Sequence, residues 1–366
     1  MSSSKLKARV ELHVHIDGAA RLSTIWELSK QKRIPLPGDG SFQALIDAVV
    51  STKASSLPNF LHGFKYILAA LKGDVKAIER VTYEMCEDQS RHGIIYFEGR
   101  YSPHLLADGA VTPSLVVEAI NRGLKRGESD FKVKARSILC CILGKPPAIK
   151  LGIITSLILG FCNKWCREVV QLCDTYREAG VVGIDIAGDD SVFGPDYPQE
   201  YIDAFLEAEK LGIHRTMHAG EVGPWLEVDK AVNVLHSERI GHGYHVLDNE
   251  ECYKEMVVKD IHFEMCPHSS LLTGGVSQTT LVHPIVRLAN DRANFSINTD
   301  DPTITNTWIT NEIQLLQQWG FTEVHLIRAK YKHFGIAFNA ARSCFLPENE
   351  KNELIQQLKS VLGITN

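Results

Sequence analysis

Eight short runs of apolar residues punctuate this chain, and between most of them apolar positions recur at helical spacing. The strand-like runs are 9–16, 94–100, 133–143, 181–187, 214–219, 240–244, 261–266 and 294–299. Apolar residues repeat every three to four positions over 75–92, 166–179, 201–211, 228–237 and 282–290, which predicts helices there. Eight strands alternating with helices is the rhythm of an α/β fold, the (β/α)₈ TIM barrel, whose active site lies at the C-terminal ends of the strands. The link from the first strand to the second, 17–93, is too long for one helix and predicts additional helices inserted after the first strand. Within it Leu57, Phe60, Leu61 and Phe64 fall at i, i+3, i+4 and i+7, the pattern of a core-facing helix or of an apolar lid over a barrel mouth. No repeat, low-complexity tract or linker divides residues 1–366, so one catalytic domain is expected. One segment breaks the rhythm: 145–163 contains the continuous apolar run 151–162, too short for the roughly 18–20 residues that span a bilayer. It reads as a buried element or a local insertion, since eight strands close a barrel without it.

Polar signatures stand at the ends of these runs. His13-Val14-His15 lies in the first strand, where alternate residues leave the same face, so two imidazoles can converge on one ion. Gly188 with Asp189 and Asp190 follows the fourth strand, and His218-Ala219-Gly220-Glu221 ends the fifth. Gly220 permits an abrupt turn that brings Glu221 near a metal without making it a ligand. A carboxyl group shielded in a pocket can move protons to a substrate nitrogen. Gly241-His242-Gly243 puts an imidazole where backbone can approach a ligand closely, and Thr299-Asp300-Asp301-Pro302 stacks two carboxylates that an adjacent cation would relieve. Each signature alone has a plain structural alternative: hydrogen-bonded histidines, a helix-capping Glu, a tight loop, an Asx turn before Pro. Four of them at strand ends coincide by chance far more rarely than any one. The joint inventory is that of a metal-assisted hydrolase.

Composition narrows the field. At 366 residues, 44% of them hydrophobic, the chain buries a large core. A formal charge of −5 and the lack of a basic stripe exclude a nucleic-acid footprint. Nine cysteines without framework spacing, and no apolar leader after Met1, fit reduced thiols in a cytoplasmic protein. His236-Ser237-Glu238 and His262-Phe263-Glu264 match the His-x-Glu of cytidine-type zinc deaminases, but no Pro-Cys-x-x-Cys follows. Phosphate-loop, His-Glu-x-x-His and Gly-x-Ser-x-Gly patterns are missing.

Five stretches, 10–19, 100–106, 218–223, 239–245 and 298–302, resemble the animal-type adenosine deaminases of the metal-dependent amidohydrolase superfamily, over nearly the full chain. The resemblance implies a (β/α)₈ barrel, one zinc ion, and hydrolytic deamination of adenosine and 2′-deoxyadenosine. Position by position, it implies that His13, His15, His218 and Asp300 are the zinc ligands. His242 and Asp300 would activate and orient the attacking water, and Glu221 would protonate N1 of the purine. The backbone N–H of Gly188 would meet N3, Asp301 would meet N7, and His15 and Asp17 would hold the ribose hydroxyls. Leu57, Phe60, Leu61 and Phe64 would form the family's hydrophobic gate. Mammalian members also dock to a cell-surface glycoprotein, which extends to this chain as an expected partner and a peripheral surface pool. Departures from the family pattern are the stretch 145–163 in place of a shorter loop, a shorter loop after Leu106, Gly99 for a β-branched residue and His268 for a Trp. Two other functions fit the residues: deamination of N6-substituted adenine nucleotides, and a catalytically impaired homologue that binds adenosine or a partner.

Overall fold

A computed structural model describes residues 8–143, 155–189, 197–322, 325–326 and 335–364, with side chains of 155–164 excepted. Eight parallel strands follow one another in chain order: β1 (Arg9–His15), β2 (Ile94–Tyr101), β3 (Lys134–Leu143), β4 (Val181–Gly188), β5 (His214–Ala219), β6 (Arg239–His242), β7 (His262–Met265) and β8 (Phe295–Ile297). Just past β8 the chain returns to β1. His15 N–H donates to the Asp300 carbonyl at 2.8 Å, Asp300 N–H donates to the His13 carbonyl at 3.1 Å, and Val14 bridges Asp300. This closure makes the sheet a (β/α)₈ barrel and places Asp300 beside the two histidines of β1.

The strands are buried on both faces because helices such as Val75–Arg91, Pro113–Phe131, Thr155–Thr175 and Gln199–Lys210 cover the outside. The sixth strand ends at His242, two residues before the predicted end. His242 and Gly243 both adopt left-handed backbone, with φ of 64° and 76°, which turns the chain out of the sheet.

The 17–93 insertion folds as seven helical segments. Leu57, Phe60, Leu61 and Phe64 do not share one regular helix: an α turn (Leu57–Phe60), a 3-10 turn (Leu61–Gly63) and a second α-helix (Phe64–Leu71) carry them. A Cβ at Gly63 would meet the Val49 carbonyl at 2.9 Å, so the break lets the backbone pack directly against Val49. Of the 145–163 stretch, 145–154 lies outside the described residues, and the remainder begins the helix Thr155–Thr175 that packs on β3 and β4. Among the described residues no helix is long and apolar enough to cross a membrane.

Candidate active site

Strand parity sends His13 and His15 to the inside of the barrel, and β5 sends His218 toward them. His15 Nε2 and His218 Nε2 face each other at 3.3 Å. Asp300 Oδ1 lies 3.2 Å from His13 Nε2 and 3.3 Å from His15 Nε2. One ligand atom from each of these four residues falls within 4.8 Å of the others. The opposite sides of two rings are already taken. His13 Nδ1 is 2.9 Å from Glu264 Oε2, and His218 Nδ1 is 3.0 Å from Asp185 Oδ2. Carboxylates at Nδ1 fix the tautomer with the lone pair on Nε2, the arrangement of metal-binding imidazoles. His13 Nε2 is buried without a hydrogen bond among the described residues, and facing imidazole nitrogens beside a carboxylate suit a divalent cation. The donor set therefore fits zinc.

Behind the ligands lies a layer of buried charge. Arg100 donates to Asp185 and Glu264, and Arg239 donates to Glu98 and to the second oxygen of Glu264. Burial alone would raise the Glu264 and Asp185 carboxyls, but Arg100, Arg239 and His13 hold Glu264, and His218 and Arg100 hold Asp185, well below the ordinary range. Burial pulls the His218 imidazole down to about 4 against the pull of Asp185, which keeps it neutral. Sequence reasoning missed Asp185, Glu264, Arg100 and Arg239. Glu264 lay in a dismissed motif, and a signal was present: a charged residue at inward parity in a run that is otherwise apolar.

A cavity of about 180 Å³ opens over the cluster. His15, Asp17, Gly188, Glu221, His242, Asp300 and Asp301 line its floor and sides, and Leu57, Phe60, Leu61 and Phe64 its apolar wall. Every predicted site residue thus meets in one place; Asp190 lies outside the described residues. His242 Nε2 is 3.5 Å from Glu221 Oε2 and 3.9 Å from Asp300 Oδ2, and burial holds its imidazole well below the usual value. Asp300, like His242, has left-handed backbone, φ 62°. Non-glycine residues in this conformation are uncommon and gather at functional sites. Ser269 Oγ donates to Asp300 Oδ2 at 2.7 Å and leaves Oδ1 toward the histidines.

The family model described as adenosine deaminase matches residues 8–361. The chain belongs to the adenosine deaminase family. It is an enzyme of that family, a hydrolase. It is 42% identical to an adenosine deaminase of Danio rerio over 371 residues, covering 98% of this chain and 96% of that protein. In fold it resembles an N6-mAMP deaminase of Arabidopsis, with a TM-score of 0.79, 23% identity and coverage of 97% and 98% of the two chains. It also resembles an amidohydrolase of Burkhoderia ambifaria with bound Zn, with a TM-score of 0.78, 21% identity and coverage of 99% and 95%.

Two departures from the adenosine deaminase pattern have local explanations. At Gly99 a Cβ would come within 2.9 Å of Ile16, whose side chain fills the space a branched residue would take. His268 sits 2.9 Å from the carboxylate of Glu312, a fully buried acid that its backbone N–H also bonds. Gly18 is demanded by the site itself. A Cβ there would lie 1.8 Å from Asp301 Oδ1, a buried atom with no hydrogen-bond partner among the described residues. Gly18→Ala should displace that carboxylate and lower kcat/KM by about 100-fold with zinc content unchanged. Wild-type kcat/KM in a folded, zinc-loaded variant would show that Asp301 is not held against the substrate.

Proposed function

We propose that this enzyme hydrolyses free adenosine and 2′-deoxyadenosine to inosine, 2′-deoxyinosine and ammonia, using one zinc ion held by His13, His15, His218 and Asp300. The observation that carries the reading is the convergence of three imidazole Nε2 atoms and one carboxylate on the floor of a cavity that also holds His242 and Glu221. Zinc bound there supplies Lewis-acid chemistry that makes water nucleophilic near neutral pH. His242, whose ring nitrogens have no hydrogen bond among the described residues, takes the proton of the water that attacks C6, and Asp300 orients that water. Glu221 protonates N1, which breaks the aromaticity of the ring and makes C6 electrophilic. Asp301 meets N7, the N–H of Gly188 meets N3, and His15 and Asp17 hold the sugar hydroxyls. The four apolar gate residues exclude bulk water from the cavity.

A second reading, deamination of N6-substituted adenine nucleotides, draws support from the fold of the Arabidopsis protein. The cavity argues for nucleosides: among the described residues that line it there is no Lys or Arg to neutralise a phosphate, and the wall is apolar. Adenosine should therefore exceed its 5′-monophosphate in kcat/KM by about 100-fold or more. Equal or inverted values, from an absorbance assay with both substrates and N6-methyl-AMP, would move the nucleotide reading ahead. Cytoplasmic placement belongs to the same reading, supported by eight cysteines of the described residues that are all buried thiols.

A further inference from the structure

The interior of a (β/α)₈ barrel is usually filled by layers of branched apolar side chains. Here Glu98, Arg100, Asp185, Arg239 and Glu264 occupy it, each at most 1% exposed. A buried ion network is poor evidence of stabilisation, because apolar residues of similar volume commonly stabilise as well or better. The contacts of Arg100 point elsewhere. Its guanidinium donates to Asp185 Oδ2 at 3.0 Å, to Glu264 Oε2 at 2.6 Å and to the Leu12 carbonyl at 2.8 Å. The same two carboxylate oxygens reach His218 Nδ1 at 3.0 Å and His13 Nδ1 at 2.9 Å. One side chain thus spans the two acids that hold the rings of metal-facing histidines on different strands.

We infer that Arg100 is a positioning residue that fixes His218 and His13 through Asp185 and Glu264, and so sets the affinity of the site for a divalent cation. The inference rests on the metal site proposed above. The two branches are unequal. Glu264 keeps Arg239 at 2.7 Å and the Thr216 hydroxyl at 2.9 Å when Arg100 is removed. Asp185 keeps only His218 and a long 3.6 Å contact from the Cys140 thiol among its described side-chain partners. Loss of Arg100 therefore acts chiefly on His218. Lysine in its place keeps the charge, but an ammonium group lacks the planar fork that bridges both acids.

The test uses the full chain loaded with zinc, with zinc affinity measured by competition against a chromogenic chelator. Arg100→Lys should weaken zinc binding by about 10–100-fold. It should also change the visible absorption of the cobalt-substituted protein and lower kcat more than it raises KM. Asp185→Asn, nearly isosteric, should weaken zinc similarly, and the double variant should be little worse than either single one. If Arg100→Lys does not fold, Asp185→Asn alone carries the same expectation for zinc affinity and the cobalt spectrum. Unchanged zinc affinity and spectrum would overturn the inference, as would additive losses that follow the Tm of the metal-free variants. A parent protein that takes up no zinc would overturn the metal site itself. A parent that binds zinc tightly but leaves adenosine untouched would overturn only the proposed reaction.

Discussion

Glu221→Gln should lower kcat for adenosine by about 100- to 10,000-fold while leaving zinc content and fold intact. The substitution preserves the shape of a residue that is 3% exposed, and it removes the one group that matters for proton transfer, an acidic O–H. The alternative donor in reach is His242, whose Nε2 lies 3.5 Å from the same carboxylate. Burial disfavours the protonated form of that imidazole, which makes it ill suited to hold a proton for N1. KM should change little, because in the proposed reading the purine is held mainly by Asp301, Gly188 and the apolar wall. Steady-state kinetics with zinc quantified in the same sample checks this. A variant within tenfold of the parent would exclude Glu221 as the N1 acid. A variant that loses zinc would instead make Glu221 part of the metal environment, although it lies outside the four-residue cluster.

Much of this site is legible in the sequence, for a physical reason. Barrel strands alternate inward and outward residues, and chemistry collects at their C-terminal ends, so His13, His15, His218, His242 and Asp300 announce themselves by position. The apolar spacing of Leu57, Phe60, Leu61 and Phe64 was also visible, yet the 3-10 break at Leu61–Gly63 was not, because it follows from a backbone approach to Val49. Asp185 and Glu264 stood out only as charged residues in otherwise apolar runs, and what they hold was illegible for a similar reason. A carboxylate in a strand reads alike whether it faces water or a histidine from a strand across the barrel, and closure alone decides which. The left-handed backbone at His242 and Asp300 is likewise imposed by the fold, since neither residue favours it as glycine does. Local pattern locates the reacting groups; tertiary closure selects what holds them.

Removal of the metal should abolish turnover without unfolding the chain, and zinc alone should restore it. The two halves of this prediction come from different contacts. Turnover is expected to require the cation because His15 Nε2, His218 Nε2 and Asp300 Oδ1 converge as a donor set that suits a divalent metal able to activate water. The fold survives because the contacts that hold the rings do not involve zinc: His13 stays on Glu264, His218 on Asp185, and Arg100 and Arg239 keep those acids ionised. Zinc still binds only the folded form tightly, so free zinc at 1,000 times Kd adds about 4 kcal/mol of stability. The chelated protein should therefore melt several degrees lower, with unchanged far-ultraviolet circular dichroism at 25 °C. Full activity after exhaustive chelation, with zinc shown to be absent, would refute a metal-assisted mechanism. Collapse of the secondary structure on chelation would show that the charged layer does not hold the histidines unaided. Retained structure, lost activity and recovery at one zinc per chain would leave a preorganised site whose geometry belongs to the protein and whose reactivity belongs to the ion.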